Sequence, residues 1–142
     1  MVDEGATETI TSALLQVDDV DNTPVELTFT LGTEPDNGTL YLGTTALLSG
    51  DTFTQQDIID NLVTYSHDGS ETTGDSFTFT AADLGLLDIG DTQTFNITVT
   101  PVNAAPTVAL SNTTTSLAED TDTGTRIAVA DITVSDDGLG TN

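Results

Sequence analysis

Apolar and polar residues alternate with a period of two along much of this chain, the pattern of strands that bury one face and wet the other. In residues 26–31, Leu27, Phe29 and Leu31 fall on one side and Thr28 and Thr30 on the other. Residues 76–80 repeat this with Phe77 and Phe79, and residues 94–100 with Phe95, Ile97 and Val99. Shorter pieces at 39–42 and 62–66 carry Leu40 and Tyr65, and residues 10–17 read as a less regular first strand. Pro35-Asp36-Asn37-Gly38 reads as a tight turn in which Asn-Gly supplies positive φ. The expected core is Leu27, Phe29, Leu31, Leu40, Tyr65, Phe77, Phe79, Phe95, Ile97 and Val99.

One segment departs from the β pattern. Thr54 stands as an N-cap with Asp57 three residues on, an Asp variant of the capping box, and predicts one short helix within 54–62. Residues 101–106, with Pro at both ends, punctuate the chain. Strand-like pieces resume at 107–110 and 126–134. The predicted division is 1–103 and 104–142. Residues 117–142 echo residues 7–22, each with an early Glu, a β segment and an acidic loop, as in a tandem array whose second copy is incomplete. Two or three strands cannot close a sandwich, so the second copy is expected to be unable to pack as a domain of its own.

Charge narrows the partners. There are 24 acidic residues against one basic residue, Arg126, for a formal net charge of -23. Nucleic acid and anionic membrane surfaces are excluded by sign. Cations and basic proteins remain. Such charge also opposes compaction unless something neutralises it. With no Cys there is no disulfide and no thiolate metal site. No run approaches the ~18 apolar residues of a membrane-spanning helix, no signal-peptide pattern opens the chain, and Met1 reads as a start inside a longer protein.

The acids gather where strands end: Asp18-Asp19-Val20-Asp21-Asn22, Glu119-Asp120-Thr121-Asp122 and Asp136-Asp137. Carboxylates so close repel one another, and hard oxygens without Cys select Ca²⁺ over zinc or copper. The spacing is not that of an EF-hand. A solvated acidic turn, or the acid surface of a salt-adapted protein, is the alternative, although acids of that kind would be scattered over strand faces that here carry Thr. His67-Asp68-Gly69-Ser70 offers the residue types of a catalytic triad. Neighbours on a strand end point to opposite faces, so His67 is expected to be half-buried and bonded to a loop instead.

Six stretches then carry a resemblance: residues 15–22, 35–40, 50–58, 63–72, 75–80 and 95–103. Together they are similar to one chondroitin-sulfate-proteoglycan-type repeat, a cadherin-related module of large bacterial surface adhesins, RTX-type extracellular proteins and animal matrix proteins. Residues 106–142 resemble the start of a second cadherin-like repeat. The resemblance implies an all-β, cadherin-like or Ig-like Greek-key β-sandwich with one short helix, and calcium at repeat junctions. Carried over by position, Glu8 is the early Glu, Asp19 and Asp21 the D-x-D loop, and Asn103 the linker Asn. Glu119 and Asp136 are their counterparts in the second unit. Pro101 and Ala104 stand where the linker pattern has Asp, and Gly138 where the second D-x-D has its last Asp.

The function expected is a calcium-binding structural or adhesion repeat, not an enzyme, of a secreted or cell-surface, bacterial protein. Its partners would be neighbouring repeats of the same chain and a cell-surface or matrix ligand, with no nucleic acid and no membrane insertion. The alternative is a carbohydrate- or host-protein-binding domain of an adhesin. With no Trp, two Tyr and five Phe mostly at core positions, a sugar-stacking surface is hard to build.

Overall fold

The computed structural model describes residues 1–83, 91–116, 124, 128 and 130–136. They divide into two units, Met1–Pro101 and Val102–Asn142. In unit 1 the elements run β1 (Val2–Asp3), β2 (Thr7–Thr9), β3 (Thr28–Leu31), β4 (Gly38–Leu42), β5 (Thr45–Ala46), β6 (Thr52–Thr54), α1 (Gln55–Ile59), β7 (Val63–His67), β8 (Gly74–Ala82) and β9 (Gln93–Thr100). One sheet has the order β1-β9-β8-β3-β6 and the facing sheet β2-β7-β4-β5. All pairs are antiparallel except β1 with β9, which run parallel with Val2 opposite Val99.

The period-2 pattern does its expected work between these sheets. Phe29 stacks on Phe53 at 5.0 Å and meets Phe79 edge-on at 5.7 Å, while Phe77 stacks on Phe95 at 4.9 Å. Nine of the ten predicted core residues are buried; Phe95 is half-buried. The reason is its place on β9, whose outer edge β1 covers only at Val99 and Thr100.

Two expectations fail for identifiable reasons. Residues 10–17 are not a strand: the Thr11 carbonyl accepts the amides of both Leu14 and Leu15, closing a turn. Ile10 and Leu15 are nonetheless buried, so the apolar signal there marked core contact and not extension. At 35–38, neither Asn37 nor Gly38 has positive φ. Gly38 is needed for space, because a Cβ there would lie 2.5 Å from the Tyr65 ring. The turn also joins strands of different sheets, β3 and β4, and is not a hairpin.

The predicted helix is present. Thr54 Oγ1 accepts from the Asp57 amide, and the Asp57 carboxylate accepts from the Thr54 amide at 2.7 Å, a complete capping box. Asn61, in the left-handed region at φ 58, turns the chain out of the helix and into β7.

Unit 2 contains an antiparallel pair, β10 (Thr107–Ser111) and β11 (Asp131–Ser135). Of the predicted strand 126–134, residues 126, 127 and 129 lie outside the described residues. The register sets Val108 opposite Val134 and Leu110 opposite Ile132, and all four are exposed.

Register fixes two ends of unit 1. At one, His67 pairs with Gly38, Gly74 with Thr98 and Asp3 with Thr100, where the chain leaves the sheet. At the other, Leu42 pairs with Val63 and Thr28 with both Thr54 and Ala82, beside α1.

Candidate functional site

The acidic loop 18–22 is built at the α1 end. Its entry is held by the Gln55 side chain, whose Oε1 accepts the Val17 amide at 2.8 Å. Its exit is held by the helix backbone: the Gln55 amide donates to the Leu27 carbonyl at 2.9 Å and the Gln56 amide to the Pro24 carbonyl at 3.1 Å. The capping box therefore fixes the loop as well as the helix, because it decides which residue begins the helix and faces the loop. Gln55 is only 2% exposed, while Val20 at the loop tip is 99% exposed.

Inside the loop the carboxylates bond locally. Asp19 Oδ1 accepts the Asp21 amide at 2.8 Å, and Asp18 Oδ2 accepts from Gln16 Nε2 at 2.6 Å. Glu26 accepts both the Thr23 hydroxyl and the Thr23 amide at 2.7 Å, bonds that hold its carboxyl below the usual range, the hydroxyl bond contributing most. Among the described residues, no three His, Cys, Asp or Glu side chains converge closely enough to hold a metal ion. Asp19 and Asp21 supply hard oxygen, so the donor chemistry suits Ca²⁺, but the set is short of the six to eight oxygens that Ca²⁺ takes.

The other predicted ligands are dispersed. Glu8 is exposed on β2, opposite Tyr65. Asn103 and Asp136 are exposed residues of unit 2, Asp136 directly after β11. Glu119 lies outside the described residues. Within unit 1, the Asp19–Asp21 loop and Pro101 are at opposite ends of the sandwich. The loop and the chain exit are two places, not one centre.

At the Thr100 end, His67 is fully buried, where half-burial was expected, at 4% exposure. Its Nδ1 accepts the amides of Gly5 at 3.1 Å and Gly69 at 3.2 Å. That fixes the proton on Nε2, which donates to Thr72 Oγ1 at 2.9 Å. Gly5 and Gly69, at φ 69 and 85, bring their amides to the ring. Ser70 donates its hydroxyl and amide to Asp68 Oδ1 at 2.6 and 2.8 Å, and these bonds hold Asp68 below the usual carboxylate range. Both ring nitrogens of His67 and the Ser70 hydroxyl are thus committed to structural partners, so these three residues do not form a relay.

Two polar residues escaped the sequence reading. Asp75 accepts the amides of Asp36 and Asn37 at 3.0 Å, the Ser76 amide at 2.8 Å and the Tyr65 hydroxyl at 2.8 Å. The alternation that puts Phe77 and Phe79 inward puts Asp75 on the same side, a signal that the sequence reading did not take up. Gln55 was legible only as the first residue after a cap; its role depends on a loop 38 residues away.

Comparison with known proteins now fits this architecture. Residues 1–99 match the model of the cadherin-like domain family. The chain belongs to that family. Over 80 residues, 56% of this chain, it is 44% identical to extracellular matrix protein 3 of Lytechinus variegatus. It is 42% identical over 84 residues, 58% of the chain, to extracellular matrix organizing protein FRAS1 of Mus musculus. Over 80 residues, 56% of the chain, it is also 42% identical to FRAS1-related extracellular matrix protein 1 of Homo sapiens. The matched region spans 2%, 2% and 4% of those proteins respectively. Among the described residues, no helix is long and apolar enough to cross a membrane.

Proposed function

We propose that unit 1 is a structural and adhesive spacer of an extracellular tandem array, stiffened at its ends by Ca²⁺. The observation that carries this reading is the clasped loop 18–22, an acidic loop held by Gln55 and Gln56 at the end of the sandwich remote from Pro101. A module stacked end to end would offer Asp19 and Asp21 to one neighbour and its exit segment, with Asn103, to the other. Each junction would complete its oxygen set with ligands from the adjoining unit, Glu8, Glu119 and Asp136 being the further candidates. Similarity to large extracellular matrix proteins supports the spacer role and an extracellular location. A large bacterial surface adhesin as the parent is supported by composition, with no Cys and a single basic residue.

The alternative of a carbohydrate site has less support. Phe29, Phe53, Phe77, Phe79 and Tyr65 are buried, which leaves little aromatic surface for a sugar to stack on. Calorimetry of the chain with and without millimolar calcium tests the proposal. A raised melting temperature that needs Asp19 and Asp21 supports it; identical melting in calcium and in chelator refutes it.

A further inference from the structure

Both ends of the segment that carries the acidic loop are tied to one residue. Gln55 Oε1 accepts the Val17 amide, and the Gln55 backbone amide donates to the Leu27 carbonyl. Because the Val17 N–H is a donor, the oxygen of the Gln55 side chain must face it, which settles which amide atom is which. Nε2, on the same carbon as that oxygen, therefore lies near Val17 at the foot of the loop. The side chain is 2% exposed, and Nε2 is the one buried side-chain nitrogen or oxygen without a hydrogen-bond partner among the described residues. Two N–H donors are left there without an acceptor, a condition rare enough in folded proteins to call for a specific cause.

Asn22 carries a matching oxygen. Asp18, Asp19, Val20 and Asp21 are all exposed, whereas Asn22, which follows them, is half-buried. Its side-chain amide has no hydrogen bond among the described residues. The carboxylates of the tip bond elsewhere: Asp19 Oδ1 accepts the Asp21 amide, and Asp18 Oδ2 accepts from the Gln16 side chain. Repulsion among these carboxylates opposes closing of the tip, and a divalent cation between Asp19 and Asp21 would remove it. An amide pair between Asn22 and Gln55 would then anchor the far side of the tip without using a carboxylate that the cation needs.

We propose that Gln55 is a positioning residue of the acidic loop: with Ca²⁺ on Asp19 and Asp21, its Nε2 donates to Asn22 Oδ1 and holds the loop closed. This rests on the reading above that the loop takes Ca²⁺. Gln55 Nε2 touches no cation itself, since an amide nitrogen offers donors and no free oxygen. It acts as hydrogen-bonded outer partners do at other metal sites, where their loss weakens binding roughly 10- to 100-fold. One buried side chain thereby grips both arms of the loop, Val17 through its oxygen and Asn22 through its nitrogen, and binding at the exposed tip is felt at the core.

The test follows the Gln55 side-chain amide by NMR in the full, isotope-labelled chain as calcium chloride is added, beside an Asn22→Ala variant. In the parent, calcium should shift the Gln55 Nε2 protons, slow their exchange with water and bring them within nuclear Overhauser contact of Asn22, together with shifts at the Asp19 and Asp21 amides. Asn22 lies outside the core, so Asn22→Ala should melt with the parent in chelator, bind Ca²⁺ about tenfold more weakly and leave the Gln55 protons unmoved. Shifts at Asp19 and Asp21 with none at Gln55 in the parent would overturn the proposal and leave the calcium reading standing. Gln55 protons equally protected in chelator would have another acceptor, and that too overturns it. Weaker binding by Asn22→Ala with the Gln55 response intact would make Asn22 a direct ligand and overturn the proposal, as would unchanged affinity. No shift anywhere in the loop at millimolar calcium would remove the calcium reading and this proposal with it.

Discussion

The Tyr65 hydroxyl donates to the Asp75 carboxylate at 2.8 Å, joining β7 of one sheet to β8 of the other, while the same carboxylate holds the amides of Asp36 and Asn37. One acid thus ties together both sheets and the turn that crosses between them. Tyr65→Phe removes a hydrogen bond to a charged group and should cost about 1.5–3 kcal/mol at neutral pH, read by urea unfolding.

The same pair sets an alkaline limit. Burial first, and the hydrogen bond to Asp75 next, hold the Tyr65 phenol above its ordinary value. The folded state therefore binds that proton more tightly than the unfolded chain. The resulting stability is whole below about pH 10, the ordinary tyrosine value, and is lost as pH rises above it. The stability gap between the parent and Tyr65→Phe should narrow above pH 10. A gap independent of pH would contradict this.

His67 is a structural acceptor. In His67→Phe the part-buried bonds from the Gly5 and Gly69 amides are lost, which should cost about 0.5–1.5 kcal/mol for each. Ser70→Ala, on the exposed loop, should stay within about 0.5 kcal/mol. Thermal unfolding of the two variants separates a structural His67 from a member of a working triad, because a triad would give the serine no less weight than the histidine in an activity assay.

Most of the fold was legible because it rests on local pattern. Alternating Phe and Thr at 76–80 can satisfy a two-sheet core in only one facing, and Thr54 with Asp57 announces a helix start without reference to anything distant. What stayed hidden depends on contacts far apart in sequence. Gly38 looked like a turn glycine and is instead the space into which the Tyr65 ring fits. Leu15 looked like part of a strand and is instead buried from a turn. The parallel placement of β1 on β9 leaves no trace in a two-residue strand. The acidic loop was visible as composition, but its clasp was not, since neither Val17 nor Gln55 is unusual until the fold brings them to 2.8 Å.

That clasp is directly measurable. Gln55→Leu keeps the side chain's bulk but removes the acceptor for the half-buried Val17 amide, at a cost of about 0.5–1.5 kcal/mol. Hydrogen exchange should quicken at Val17 and across residues 18–22, while amides in β7 and β8 keep their protection. Uniform loss of protection would mean that Gln55 supports the core and not the loop.

The central claim is that calcium stiffens this module through its acidic loop, and differential scanning calorimetry of the parent beside an Asp19→Asn, Asp21→Asn double variant tests it most directly. Extracellular modules that bind calcium do so at ~10⁻⁴–10⁻³ M. At about a hundredfold excess over the dissociation constant, calcium should add roughly 2.7 kcal/mol to the parent. The double variant should melt at the same temperature with calcium as with chelator. A parent that melts identically in both, or a double variant whose calcium response equals the parent's, would contradict the account.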